Sequence, residues 1–93
     1  MISFTVRVEL HDATWTDYNL LHTEMENQGF GRTITAGDGT TYELPEAEYD
    51  YSGDVNKADV LARAKEAADT TGKKYAVLVT KSNGRTWVGL SKS

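Results

Sequence analysis

The strongest constraint on the fold is a stretch of alternating residues at positions 2–10. Polar residues separate apolar ones at every second position, namely Ile2, Phe4, Val6, Val8 and Leu10. Successive side chains of a strand point to opposite faces, so this period predicts a strand with one buried face, long enough to cross a small domain. The stretch ends at His11 and Asp12, where we expect the chain to pass from strand to helix.

Length and composition limit the classes of protein to which the chain can belong. Its 93 residues, 39% of them hydrophobic, predict one domain over residues 1–93. The absence of cysteine excludes disulfides, thiolate metal sites and cysteine nucleophiles. A net charge of −4 argues against nucleic-acid binding driven by charge alone. Because no stretch resembles a membrane span or a signal peptide, we expect a cytoplasmic protein with no membrane partner.

Two helices are predicted from capping residues and apolar spacing. Thr14 and Asp17 fit a capping box at the start of a helix over residues 15–28. A second helix is expected to begin after Asn56 or Asp54. The two apolar stripes consist of Trp15, Tyr18, Leu21 and Met25 in the first helix, and of Val60, Leu61, Ala64, Ala67, Ala68 and Thr71 in the second.

The remaining segments predict short strands joined by turns. Glycine-containing turn signals occur at residues 37–39, 52–54 and 83–84, and Pro45 interrupts the ladder because it lacks an amide proton. The strands are predicted at residues 30–36, 40–44, 46–51, 75–80 and 86–90.

The order of these elements predicts an α+β fold. Strand, helix, strand, strand, helix, strand is the ferredoxin-like split βαβ plan, an antiparallel sheet with two helices on one face. The segment at 86–90 would add a C-terminal β-hairpin strand. Right-handed crossovers would place the first strand inside the sheet, next to the strand at 75–80.

Asp12, His11 and His22 are the candidate catalytic residues. A carboxylate at the end of a central strand can hold a divalent cation or orient a water, but Asp12 equally fits an Asx-turn or helix cap. His11 and His22 are the only histidines, and only histidine acts as a general base near neutral pH without a large pKa shift. Solvated surface histidines are the alternative interpretation.

Arg7 and Arg32 are the candidate RNA contacts, because guanidinium groups bind phosphate. Scattered solvated charges are the alternative. The polar face of the first strand carries Ser3, Thr5, Arg7, Glu9 and His11, with no aromatic residue. Sheets that bind single-stranded RNA stack bases on aromatic side chains, so we expect no such platform here.

The chain also resembles a known family. The first strand ending in Asp12, the aromatic-rich helix up to Met25, and the segments MENQGFGRTI and GDGTTYELPEAEYDY together resemble the GhoS family, the small antitoxin endoribonucleases of type V toxin–antitoxin systems. The resemblance implies a ferredoxin-like fold, cleavage of a toxin messenger RNA, and a functional role for Asp12. This chain departs from the family in lacking arginine on the exposed face of the first helix.

Two hypotheses about function follow. The first is an endoribonuclease that uses Asp12, His11 and His22 for catalysis and Arg7 and Arg32 to hold RNA. It requires no cofactor, with Mg²⁺ at Asp12 as an open alternative. The second is a non-enzymatic ferredoxin-like domain that dimerises through sheet edges or the terminal hairpin and binds a protein partner. Under either hypothesis we expect a homodimer.

Overall fold

An α+β fold is present in the computed structural model, which describes residues 2–93. Its elements in chain order are β1 (Ile2–Leu10), α1 (Trp15–Asn27), β2 (Thr33–Thr35), β3 (Thr41–Glu43), β4 (Glu48–Gly53), α2 (Lys57–Asp69) and β5 (Tyr75–Lys81). Strands β4, β1 and β5 form an antiparallel main sheet in that order, and β2 and β3 form a separate two-stranded sheet. The predicted α+β class is confirmed, with two small sheets in place of the predicted single sheet.

Strand β1 lies inside the main sheet, next to β5, as the alternating pattern and the crossover rule predict. Val6 is opposite Tyr49 of β4 on one side and Val79 of β5 on the other. Phe4, Val6 and Val8 are buried on the face that the helices cover. One hydrophobic cluster joins this face to both helices, so the core lies on one side of the main sheet.

Both helices begin with the predicted kind of cap. The Thr14 backbone N–H donates to Asp17 at 2.9 Å, and the Asp17 N–H donates to the Thr14 hydroxyl at 3.4 Å. Asn56, and not Asp54, caps α2. None of the helices within residues 2–93 is both long and apolar enough to cross a bilayer.

The helices bury most of their predicted stripes, with Trp15 as the main exception. Leu21 and Met25 are buried, as are Val60 and the three alanines of the α2 stripe. Trp15 is 68% exposed, so its expected place in the core is wrong. The first turn of α1 faces a groove beside Glu46, and the indole therefore projects into solvent.

Strand β4 differs from prediction at both ends. Ser52 and Gly53, predicted as a turn, continue the strand, with Ser52 opposite Ser3 and Gly53 opposite Ile2 of β1. At the other end, the Glu48 N–H donates to the Pro45 carbonyl at 2.9 Å, and this turn delays the start of the strand.

Arg32 explains why the predicted strands at 30–36 and 40–44 shrink to β2 and β3. Gly31 exchanges two backbone hydrogen bonds with Asp50 of β4, so the segment begins beside the main sheet. The next ladder position on β4 is Glu48, but its carbonyl accepts from the Arg32 guanidinium and its amide is bonded to Pro45. With both backbone groups of Glu48 engaged, the ladder stops and β2 pairs only with β3.

The expected C-terminal hairpin strand at 86–90 is wrong. Residues 82–93 leave β5 and run across the open face of the main sheet, where Arg85 donates to Asp50 at 2.8 Å. The ring of Trp87 then packs edge-on against Tyr42 of β3, with centroids 5.5 Å apart. The segment ends beside β3, where the Glu43 N–H donates to the Ser91 carbonyl at 2.8 Å. These contacts direct the chain away from the edge of β5.

Candidate functional site

His22 lies at the centre of a hydrogen-bonded cluster between α1, β4 and the connection before β4. Its Nδ1 is 2.5 Å from the hydroxyl of Tyr49, and its Nε2 is 2.7 Å from Oε2 of Glu46. The side chain is only 17% exposed, because position 22 adjoins the buried stripe of α1. We call His22, Tyr49, Glu46 and Arg32 the His22 cluster.

The protonation of Tyr49 in this cluster follows from its burial. Tyr49 is fully buried, and this burial raises the pKa of its phenol well above the ordinary value, against the opposing charge of Arg32. The phenol therefore keeps its proton and is hydrogen-bonded to Nδ1 of His22. Nε2–H then donates to the Glu46 carboxylate, which is half exposed. Each ring nitrogen has a partner within the protein, so proton exchange with a bound substrate requires one of these bonds to break.

Arg32 positions the carbonyl-rich connection that carries Glu46. Its guanidinium donates to the carbonyls of Leu44 at 2.9 Å and Pro45 at 2.6 Å, and also to that of Glu48. It also lies 5.4 Å from the centroid of the Tyr49 ring, within range of a cation–π contact. The predicted RNA contact is thus bonded to backbone oxygens of its own chain.

Arg7, the other predicted RNA contact, is paired with two carboxylates on the open face of the main sheet. Its Nε is 2.7 Å from Glu9, and its NH1 is 3.1 Å from Glu48. The hydrogen bond and charge of Glu9, with a smaller effect of Glu48, raise the pKa of the guanidinium. An incoming phosphate would compete with both carboxylates for this side chain.

Asp12 and His11 lie apart from the His22 cluster, in the exposed bend after β1. Asp12 has a φ of 53°, and its side chain forms no hydrogen bond or ion pair within residues 2–93. His11 is held through its backbone, whose N–H donates to the Lys74 carbonyl at 2.8 Å. Among residues 2–93, no group of three or more His, Asp or Glu side chains is placed to hold a metal ion.

A groove runs along α1 beside the His22 cluster. It has a volume of 240 Å³, and its lining includes exposed Trp15 together with His22, Arg32, Glu43 and Glu46. Sequence reasoning identifies His22 but misses Tyr49 and Glu46. The change of parity at Pro45 was the available signal for Tyr49, because it returns Tyr49 to the buried face, where a phenol needs a hydrogen-bond partner.

The free edge of β5 is a second candidate site, and it is built from backbone groups. The His11 N–H donates to the Lys74 carbonyl, and the Ser82 N–H to the Ser3 carbonyl, so the even-numbered residues of β5 bond to β1. The odd-numbered residues direct their N–H and C=O groups away from the sheet. We call the outward groups of Tyr75, Val77, Val79 and Lys81 the β5 edge; nothing within residues 2–93 pairs with it.

Comparison with known protein families gives no match, and neither does comparison with the sequences of curated proteins. The function therefore has to be argued from the geometry of the His22 cluster and the β5 edge.

Proposed function

We propose that the protein is a non-enzymatic interaction domain of the ferredoxin-like plan, which binds a protein partner by strand addition at the β5 edge. The observation that carries this proposal is a seven-residue strand whose outer backbone groups have no partner within residues 2–93. In strand addition, main-chain hydrogen bonds supply affinity and the side chains at alternate positions supply specificity. Leu78, at the middle of β5, is 63% exposed and offers an apolar contact.

The state of the predicted catalytic and RNA-binding side chains supports the same proposal. His22 has both ring nitrogens bonded, and Arg7 and Arg32 are bonded to oxygen atoms of their own chain. A substrate phosphate would have to displace these contacts in order to bind. The β5 edge, in contrast, is free to bind without displacing an existing contact.

The ferredoxin-like plan is part of the proposal. In that plan the first strand lies between the two strands that flank the second helix, and the chain after the first helix borders the outer side of the sheet. The order β4-β1-β5 fulfils the first condition, and the hydrogen bonds between Gly31 and Asp50 support the second. The β2–β3 pair would then take the place of the fourth strand of that plan, turned away from the main sheet.

A strand-forming peptide tests the proposed binding mode. We expect a synthetic peptide of alternating threonine and valine to shift the NMR amide signals of Val77 and Val79, because their N–H groups face outward. Lys81→Pro removes one outward donor and should weaken binding. Its matched control, Ser82→Pro, removes a 2.8 Å bond to Ser3 and should lower stability while retaining the edge. In a monomeric sample, shifts confined to β2, or none at all, would contradict the proposal.

A second candidate is the endoribonuclease activity on a toxin messenger RNA that the GhoS-type resemblance implies. It is favoured by the groove in which His22 and Arg32 lie beside exposed Trp15, an indole on which a base can stack. In this scheme Glu46 would orient His22 for acid–base catalysis, after the Tyr49 bond is exchanged for a bond to substrate.

RNA cleavage by the purified protein tests this second candidate, with and without Mg²⁺. The endoribonuclease hypothesis requires cleavage that His22→Gln abolishes, and His11→Gln tests the other predicted catalytic histidine. Lys65→Gln, at an exposed position of α2, is the control and should leave cleavage unchanged. The interaction-domain proposal instead predicts intact RNA in every arm. Asp12→Asn completes the set, because the resemblance assigns the functional role to that carboxylate.

A further inference from the structure

The outward groups of the β5 edge have a two-fold arrangement. An antiparallel copy of β5 centred on Leu78 brings Tyr75 opposite Lys81 and Val77 opposite Val79, so the whole of Tyr75–Lys81 is paired. These are odd-numbered positions, whose backbone groups point outward, and each such pair exchanges two hydrogen bonds. A symmetry axis at any other residue leaves part of the strand without a partner.

The side chains at the centre of this arrangement suit a copy of the same strand. Leu78 would face Leu78 of the second copy at a non-hydrogen-bonded position, where side chains approach most closely. Ala76 and Thr80, exposed on the same face, are small and uncharged. A depression of 360 Å³, bordered by Arg7 and Glu9, lies beside Leu78 and leaves room for the second leucine.

The side chains on the helix-covered face of β5 also suit pairing with β5 of a second copy. Val77 and Val79 are half-buried there, and mutual pairing would cover the area that they still expose. At the ends of the strand, Lys81 would come beside Tyr75 of the second copy. The hydroxyl of Tyr75 donates to Asp69 at 2.6 Å, so each exposed ammonium would approach a carboxylate. This charge pairing occurs twice by symmetry and favours a second copy over an unrelated strand.

We propose that the partner of the β5 edge is a second copy of this chain, joined in an antiparallel β5–β5 pair whose two-fold axis passes between the Leu78 side chains. The proposal rests on the proposed function, since it names the partner for strand addition. The product is a continuous sheet of six strands, three from the main sheet of each copy. Closed pairing of this kind removes the only long open edge within residues 2–93.

Opposite charges at position 78 test the symmetry directly. Light scattering of the wild type should give twice 10.3 kDa. Leu78→Lys and Leu78→Glu each place like charges across the axis, and each should weaken dimerisation roughly tenfold or more. An equimolar mixture of the two variants should restore the dimer as a heterodimer. Because Leu78 is exposed, the far-UV spectrum of both variants should match the wild type.

Val88→Lys provides the matched control, since Val88 is 95% exposed on the C-terminal segment. It should leave the dimer intact, and the Val77 and Val79 amides should exchange slowly with deuterium. A dimer lost in Val88→Lys and retained in Leu78→Lys would overturn the proposal. A monomeric wild type that still binds the threonine–valine peptide would overturn the second copy as partner while leaving strand addition supported. A monomer that does not bind the peptide would overturn both.

Discussion

At His22 a single imidazole joins three segments that are distant in sequence. The ring is hydrogen-bonded to Tyr49 through Nδ1 and to Glu46 through Nε2, so it links α1 to β4 and to the connection before β4. A buried phenol without a partner would cost about 1–3 kcal/mol, and His22 removes that cost. The cluster therefore stabilises the packing of α1 against the main sheet, whatever further role it has.

Removing the buried hydroxyl should reveal this contribution. Tyr49→Phe leaves Nδ1 of His22 without its hydrogen-bond partner, and we expect the free energy of unfolding in urea to fall by about 1–2 kcal/mol. Tyr75→Phe is the control, since it removes an exposed 2.6 Å bond to Asp69 and should cost about 0.5 kcal/mol or less. Equal losses of unfolding free energy in both variants would mean that the His22 cluster stabilises the fold no more than an exposed hydrogen bond does.

Arg32 acts through its shape as well as its charge. Two carbonyls on the connection between β3 and β4, and that of Glu48 at the start of β4, accept from one planar guanidinium, which an ammonium cannot reproduce. We expect Arg32→Lys to lower the free energy of unfolding by about 2 kcal/mol. Arg63→Lys, on the exposed face of α2, keeps a cation near the Tyr51 ring, whose centroid is 5.9 Å from the Arg63 guanidinium, and should change the free energy of unfolding by about 0.5 kcal/mol or less. An unchanged Arg32→Lys protein would refute the anchoring role.

Among the elements, α1 shows how local sequence determines a helix start. The Thr14–Asp17 pair satisfies backbone N–H groups that have no partner inside the helix. The hydrogen bond from the Thr14 backbone, followed by that from its hydroxyl and the charge of Lys73, lowers the pKa of Asp17. Since the pKa of Asp17 is lower in the folded protein than in the unfolded chain, ionised Asp17 stabilises the fold at pH values above its unfolded-state pKa. This stabilisation is lost as the pH falls through the pKa of the folded state.

An acid titration of stability checks this sign. We expect the wild type to lose stability between about pH 5 and pH 3, on either side of the ordinary carboxyl pKa of about 3.9. Asp17→Asn should lose less over the same interval, because it has no carboxylate to protonate. Asp54→Asn is the control, since Asp54 is exposed and forms no hydrogen bond within residues 2–93. If the two variants show the same acid dependence, the capping box does not cause it.

The elements differ in how far sequence alone determines them. The alternation of β1 and the caps at Thr14 and Asn56 are local signals, and the structure agrees with them. The shortening of β2 is not local, because it depends on Arg32 reaching the carbonyl of Glu48. The same limit applies to the candidate site, where His22 is visible in the sequence but its partners are set by packing.

On the scale of the whole molecule, the C-terminal segment 82–93 connects the two sheets. Arg85 bonds to Asp50 of the main sheet, and Trp87 packs against Tyr42 of β3. The turn signal at residues 83–84 predicts a reversal of the chain but carries no information about the element with which the next segment pairs. Contacts of Arg85 and Trp87 with distant residues decide the path instead.

Truncation of the Trp87 indole should let the segment beside β3 open without opening the main sheet. In Trp87→Ala we expect the Glu43 amide, which donates to Ser91, to exchange faster with deuterium, by roughly tenfold for a local loss of about 1.4 kcal/mol. The amides of β1 should keep their exchange rates, since the core that surrounds β1 does not include Trp87. Val88→Ala, at a 95% exposed position, should leave Glu43 unchanged. Faster exchange throughout β1 would mean that the two sheets unfold as one unit.

The central place of β1 has a consequence for how the chain acquires its structure during translation. β1 precedes the other described elements in the chain, yet its backbone partners are β4 and, last among these elements, β5. Contacts between such distant positions are slow to form, because the intervening chain must be ordered first. Phe4, Val6 and Val8 therefore remain uncovered until β4, β5 and the helices have been synthesised, and exposed apolar surface of this kind is prone to aggregation.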